Sequence, residues 1–198
     1  MATESQPRLR VVAADPAGVG RLLRPIVLVG LMGAGKTAVG RRLAAALGVA
    51  FADADEAISE AAGMSIPDIF EVYGEAEFRN LERRVVVRLL DEATGVLALG
   101  GGAFIDLSTR AAVRERGVSI WLKAELDTLV ARVTRKRAVR PLLMQGDPRT
   151  ILAGLIERRY PVYAEADFTV LTGDQPLDEV VDRLIALLRR EGLIRDVA

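Results

Sequence analysis

The stretch Gly30-Leu-Met-Gly-Ala-Gly-Lys-Thr37 brings three glycines, a lysine and a hydroxyl together directly after the apolar run Pro25-Ile-Val-Leu-Val29. Glycines at that spacing let a backbone wrap closely round a polyphosphate, so that successive N–H groups form an anion-binding concavity. The residues from Lys36 onward read as a helix, whose N-terminus adds partial positive charge to the same hollow. Strand, GxxxxGK[ST] loop and helix in that order form a phosphate-binding loop for a nucleoside triphosphate. Lys36 then reaches the β- and γ-phosphates, and the Thr37 hydroxyl ligates Mg²⁺.

Five further groups carry chemistry. In Phe51-Ala-Asp53-Ala-Asp55, period-two alternation puts both aspartates on one side until strand gives way to helix. Asp53 can hold the hydration shell of Mg²⁺, and Asp55 can bind and orient a substrate hydroxyl. Asp55 can equally cap the helix that follows. In Phe78-Arg79-Asn-Leu-Glu82, Arg79 suits either a solvated ion-paired helix face or a bidentate contact to a substrate carboxylate, steadied by Glu82. Gly100-Gly101-Gly102 directly follows an apolar strand, where glycines expose backbone donors to a ligand in the crevice of an open α/β sheet. Arg140-Pro-Leu-Leu143 and Arg159-Tyr-Pro-Val-Tyr163 each offer an arginine. Arg140, held extended by the proline after it, can close over phosphate or simply face solvent.

The elements that must position these groups follow from hydrophobic periodicity. Short apolar runs near 25–30, 49–53, 95–99, 118–122 and 167–171 read as strands. Longer amphipathic runs near 36–47, 55–62, 65–91, 108–116, 125–134, 149–163 and 177–190 read as helices, the third broken around Tyr73-Gly74. The alternation predicts an α/β fold, a parallel sheet covered by helices on both faces. Residues 1–24 show no sustained periodicity and read as a poorly ordered N-terminal extension to a single domain over 25–198. The stretch from about 135 to 148 reads as a long loop, a lid in waiting.

Composition narrows the chemistry. The chain has neither histidine nor cysteine, which excludes triads, thiolate metal sites and disulfides and suits a cytoplasmic protein. Lys+Arg and Asp+Glu balance at 27 each, so no global basic field advertises nucleic acid. No apolar stretch approaches the roughly 18 residues of a membrane span, and the first ten residues lack the apolar core of a signal peptide.

In that order and at those spacings, GLMGAGKT, FADAD, FRNLE, GGG, RPLL and RYPVY resemble the shikimate kinase family from residue 25 to about 188. The resemblance implies a P-loop kinase fold with a five-stranded parallel sheet, a substrate-binding helical region after the second strand, and a mobile lid. It implies that ATP, with Mg²⁺, phosphorylates the 3-hydroxyl of shikimate, a step toward chorismate and the aromatic amino acids. Gly33, Ala34, Gly35, Lys36, Thr37 and Ala38 would lie along the ATP phosphates, with Thr37 and Asp53 serving the metal. Asp55 would grip the ring hydroxyls and take the proton, Arg79 and Arg159 would clamp the carboxylate, and Gly100, Gly101 and Gly102 would offer backbone contact. Arg140 would meet the transferring phosphoryl group, making Lys36, Asp55 and Arg140 the catalytic set. Arg132 or Arg135 would contact adenine, with Gln175 as companion. The partners implied are shikimate and ATP acting on a monomer, with neither nucleic acid nor membrane.

Two rivals remain open on sequence. Another small-metabolite kinase of the same fold, such as a gluconate kinase, would lack a use for Asp55, Arg79 and Arg159 together. A nucleotide-dependent switch is disfavoured, since no NKxD guanine-reading motif is present.

Overall fold

The computed structural model describes residues 21–92, 95–135 and 146–195. In chain order the elements are β1 (Arg21–Leu22), β2 (Ile26–Val29), α1 (Lys36–Leu47), β3 (Ala50–Asp53), α2 (Ala54–Ala62) and α3 (Ile66–Glu92). After these come β4 (Gly95–Ala98), a 3-10 turn (Ala103–Ile105), α4 (Leu107–Arg116), β5 (Val118–Lys123) and α5 (Leu126–Arg135). The chain closes with α6 (Pro148–Tyr163), β6 (Phe168–Leu171), α7 (Leu177–Arg190) and β7 (Ile194–Arg195).

Five strands form one sheet in the order β3-β4-β2-β5-β6, and every neighbouring pair is parallel. Every residue of β2 and β4 is buried, which requires cover on both faces, and this is why those runs are continuously apolar. The edge strands β3 and β6 are only partly buried. Helix α1 turns Val39, Leu43, Ala44 and Leu47 into the core. α3 breaks where the sequence places the break: Gly74 has φ 77° and ψ 175°, outside helical space. Among the described residues no helix is long and apolar enough to cross a membrane.

One pairing has no counterpart in the sequence reading. Arg21 and Leu22, assigned above to the N-terminal extension, form β1 and pair antiparallel with β7, Leu22 opposite Ile194. Both residues of that pair are buried, and the Leu23 N–H donates to Leu193 O at 3.1 Å. The expectation for residues 1–20 lies outside the described residues.

Four groups in the described residues lie at the carboxyl ends of sheet strands. The phosphate-binding loop follows β2, Asp53 ends β3, the three glycines follow β4 by one residue, and Thr172–Gln175 follows β6. In open α/β sheets this edge is where ligands bind.

Candidate active site

The phosphate-binding loop has the backbone that its glycines permit. Gly33 (φ 84°) and Gly35 (φ 98°) are left-handed, and Gly35 is the N-cap of α1. A side chain at either position would strain the turn that aims the loop's N–H groups inward. Lys36, in the first turn of α1, curls back so that Nζ donates to the carbonyls of Gly30 (2.8 Å) and Leu31 (3.1 Å). Its charge thus lies against the concavity formed by Leu31–Gly35. Ala34 is buried, and Ala38 is exposed on the first turn of α1.

Thr37 and Asp53 meet. The Thr37 hydroxyl donates to Asp53 Oδ2 at 2.8 Å, while Asp53 Oδ1 accepts the Asp55 N–H at 3.0 Å. Asp53 therefore caps α2, and Asp55 sits within its first turn. The sequence left Asp55 open as a helix cap; that role belongs to Asp53, because the helix begins at Ala54, directly after the strand and one residue earlier than expected. The two aspartates also part company: Asp53 faces the phosphate-binding loop, and Asp55 faces the glycines after β4.

Those glycines are the hub of the second half of the site. A Cβ on Gly100 would lie 2.5 Å from Asp55 Oδ1 and 3.2 Å from Glu82 Oε1, and one on Gly102 would lie 2.7 Å from a terminal nitrogen of Arg79. Only glycine lets the carboxylates and the guanidinium come this close to the backbone. The position a Cβ would take on Gly101 is 3.7 Å from the Met32 N of the phosphate-binding loop, and the Gly101 carbonyl accepts from Arg159 at 2.9 Å. Asp55, Arg79 and Arg159, scattered over more than a hundred residues of sequence, thus converge on one loop beside the phosphate site.

Arg79 donates to Glu82 at 2.6 Å and to Glu75 at 3.4 Å. Glu82 is buried, 2% exposed. Burial raises its pKa above the ordinary glutamate value; Arg79 pulls in the other direction, and the Asp55 charge adds to the rise. The i,i+3 spacing of Arg79 and Glu82 is visible in the sequence; the burial that makes their pair a fixture of the site is not.

At the other end of the loop, Arg132 in α5 donates to the carbonyls of Gly33 (3.3 Å) and Ala34 (3.4 Å) and to that of Gly173. Gln175 accepts from the Gly173 N–H at 2.8 Å, so Arg132 and Gln175 meet on one residue. The buried Thr172 hydroxyl, which the sequence reading did not single out, donates to Ala34 O at 3.2 Å. Arg135 is exposed at the end of α5. Arg140 and most of the expected lid, 136–145, lie outside the described residues.

Comparison with known proteins gives this arrangement its family. The family model described as Shikimate kinase matches residues 32–189. A shikimate kinase from Rhodopseudomonas palustris is 54% identical over 165 residues, 83% of this chain and 81% of its own length. One from Mesorhizobium japonicum is 49% identical over 192 residues, 93% of this chain and 94% of its own, a span that reaches into the segment before residue 25. A solved shikimate kinase from Acinetobacter baumannii, in complex with shikimate, aligns with a TM-score of 0.82 at 37% identity, over 86% of this chain and 96% of its own. A gluconokinase from Sinorhizobium meliloti, 21% identical with a TM-score of 0.57 over 86% of this chain and 94% of its own, shares the fold alone. Matched from Met32 to Arg189 and about half identical to curated relatives over most of its length, the chain belongs to the shikimate kinase family.

Proposed function

We propose that this site transfers the γ-phosphoryl group of ATP to the 3-hydroxyl of shikimate, giving shikimate 3-phosphate and ADP on the route to chorismate and the aromatic amino acids. The observation that carries the reading is the convergence of Asp55, Arg79 and Arg159 on Gly100–Gly102, beside the phosphate-binding loop. Two guanidinium groups and a carboxylate suit a small molecule bearing a carboxylate at one end and hydroxyls at the other.

The ring carboxylate pairs with Arg79 and Arg159, and the ring hydroxyls with Asp55. Held at both ends, the reacting oxygen points at the γ-phosphorus in line with the bridging oxygen that leaves on ADP. As the new P–O bond forms and the bond to the β–γ bridging oxygen breaks, Asp55 accepts the hydroxyl proton. Lys36 leaves the Gly30 and Leu31 carbonyls for the β- and γ-phosphate oxygens, and backbone N–H groups from Gly33 to Ala38 line the phosphates. Arg140, brought by the lid, adds charge to the moving phosphoryl group and helps exclude water. Arg132 and Gln175 frame the adenine end, with Arg132 rather than Arg135 in contact with the phosphate-binding loop.

The hydroxyl of Thr37 and the carboxylate of Asp53 are hard oxygen donors of the kind Mg²⁺ takes. Thr37 would hold the ion directly and Asp53 through its water shell. Bound there with the nucleotide, Mg²⁺ would neutralise charge on the β- and γ-phosphates. The protein would work as a monomer in the cytoplasm with neither nucleic acid nor membrane as partner; the balanced charge of the chain supports this reading as far as nucleic acid is concerned.

A coupled ADP-release assay with shikimate, quinate and gluconate tests the reading. Turnover is expected with shikimate and not with gluconate; a preference for gluconate would overturn it.

A further inference from the structure

Tyr163, the last residue of α6, is completely buried, yet its hydroxyl reaches the substrate side of the molecule. It donates to the carbonyl of Gly101, the same carbonyl that accepts from Arg159 one helical turn earlier. Gly101 lies between Gly100, against which Asp55 packs, and Gly102, against which Arg79 packs. One carbonyl oxygen therefore joins the loop that spaces Asp55 and Arg79 to the helix that bears Arg159. The ring is clamped behind this junction by Trp121 (centroids 6.0 Å apart) and Tyr160 (6.3 Å).

We propose that Tyr163 is a positioning residue for the carboxylate clamp: by holding Gly101 against α6, it fixes the distance between Arg159 on one side and Arg79 with Asp55 on the other. The inference rests on the shikimate reading above. The phenol suits the task because burial pushes its pKa up to about 12, so it remains a hydrogen-bond donor across the whole working range of pH. Tyr160, three residues earlier, makes a useful contrast. Its ring also packs on Trp121, at 4.8 Å, and its hydroxyl also donates to a backbone carbonyl, but to that of Ala124 and not to that of Gly101.

Tyr163→Phe keeps the ring, and Arg159 still satisfies the Gly101 carbonyl, so the variant should fold with a Tm close to that of the wild type. Its KM for shikimate is expected to rise about five- to tenfold, the worth of one hydrogen bond, with kcat and the KM for ATP little changed. Tyr160→Phe should leave the shikimate KM where it was. In a double-mutant cycle with Arg159→Lys, the effect of Tyr163→Phe should largely vanish, because the group it positions is already gone. Full additivity, or equal changes in the KM values of shikimate and ATP, would reduce Tyr163 to a packing residue. Calorimetric titration of the wild type with shikimate separates the two levels of the argument. No binding there would remove the shikimate reading itself, whereas normal binding by both wild type and Tyr163→Phe would remove only the positioning role.

Discussion

Arg79 and Glu82 lie one helical turn apart on α3 and form a 2.6 Å ion pair in which the Glu82 side chain is 3% exposed and that of Arg79 27%. The acid lies inside the protein, and the base reaches out from it to the glycine loop. A buried ion pair is weak evidence for stability, since desolvation offsets much of the attraction. Its value here is geometric, because Glu82 holds the guanidinium against Gly102.

Glu82→Gln should therefore separate stability from activity. Because burial raises the folded pKa of Glu82, its contribution to stability is fully present below its unfolded value near 4.5 and is lost as pH rises through the raised value. At neutral pH the neutral glutamine should thus melt within a few degrees of wild type or above it. The melting advantage of the wild type should appear only in acid. The KM for shikimate should rise about tenfold or more as Arg79 loses its anchor. Melting curves from pH 4 to 8 beside shikimate kinetics check both; a large loss of Tm at pH 7 with normal KM would contradict the geometric role.

Asp55→Asn should spare the fold. Helix α2 is capped by Asp53, not Asp55, so the variant keeps that cap and gives up a favourable charge in the first helical turn, worth roughly 0.3–1 kcal/mol. Losing the proposed acceptor for the hydroxyl proton should lower kcat/KM for shikimate by roughly 10² or more. Normal turnover at unchanged Tm would leave substrate recognition to the two arginines.

Asp53→Asn probes the metal. Asparagine caps about as well as aspartate through its one carbonyl oxygen, and its amide NH2 can donate to the Thr37 hydroxyl oxygen in place of the bond that Thr37 now donates, so melting should barely change. The concentration of Mg²⁺ giving half-maximal activity should rise several-fold, because a neutral amide holds the hydration shell of the ion less tightly. An unchanged Mg²⁺ titration would restrict Asp53 to capping.

Arg132→Ala removes all three hydrogen bonds that tie α5 to the phosphate-binding loop and to Gly173. The KM for ATP should increase at least tenfold and the Tm should fall, while shikimate affinity measured without nucleotide stays as it was. A variant with normal ATP affinity would shift the nucleotide contact to Arg135 or the lid.

The sheet and helices were legible because their signals are local and strong. Ile26–Val29 and Gly95–Ala98 are apolar throughout, as strands buried on two faces must be, and Gly74 marks the break in α3 by the one residue type that tolerates it. Spacing also exposed the residues that gather at the site. What spacing could not show is which neighbour each one meets. Two consecutive alternation positions, Asp53 and Asp55, end up serving opposite ends of the site because the strand stops between them. Thr172 and Tyr163 act through hydroxyls on backbone carbonyls more than sixty residues away, a relation that leaves no pattern in sequence. The β1–β7 pair escaped for the same reason, since two residues are too few to display a period.

That pair has a practical meaning. Arg21 stands opposite Arg195 at the end of the molecule where β2 begins, away from the sheet edge that carries the glycine loops. The described chain therefore enters and leaves at a single clasp, at the other end of the strands from the phosphate-binding loop and the glycines after β4. Fusions, surface tethers or a permuted connection between these two points would load the clasp and leave the catalytic edge unobstructed.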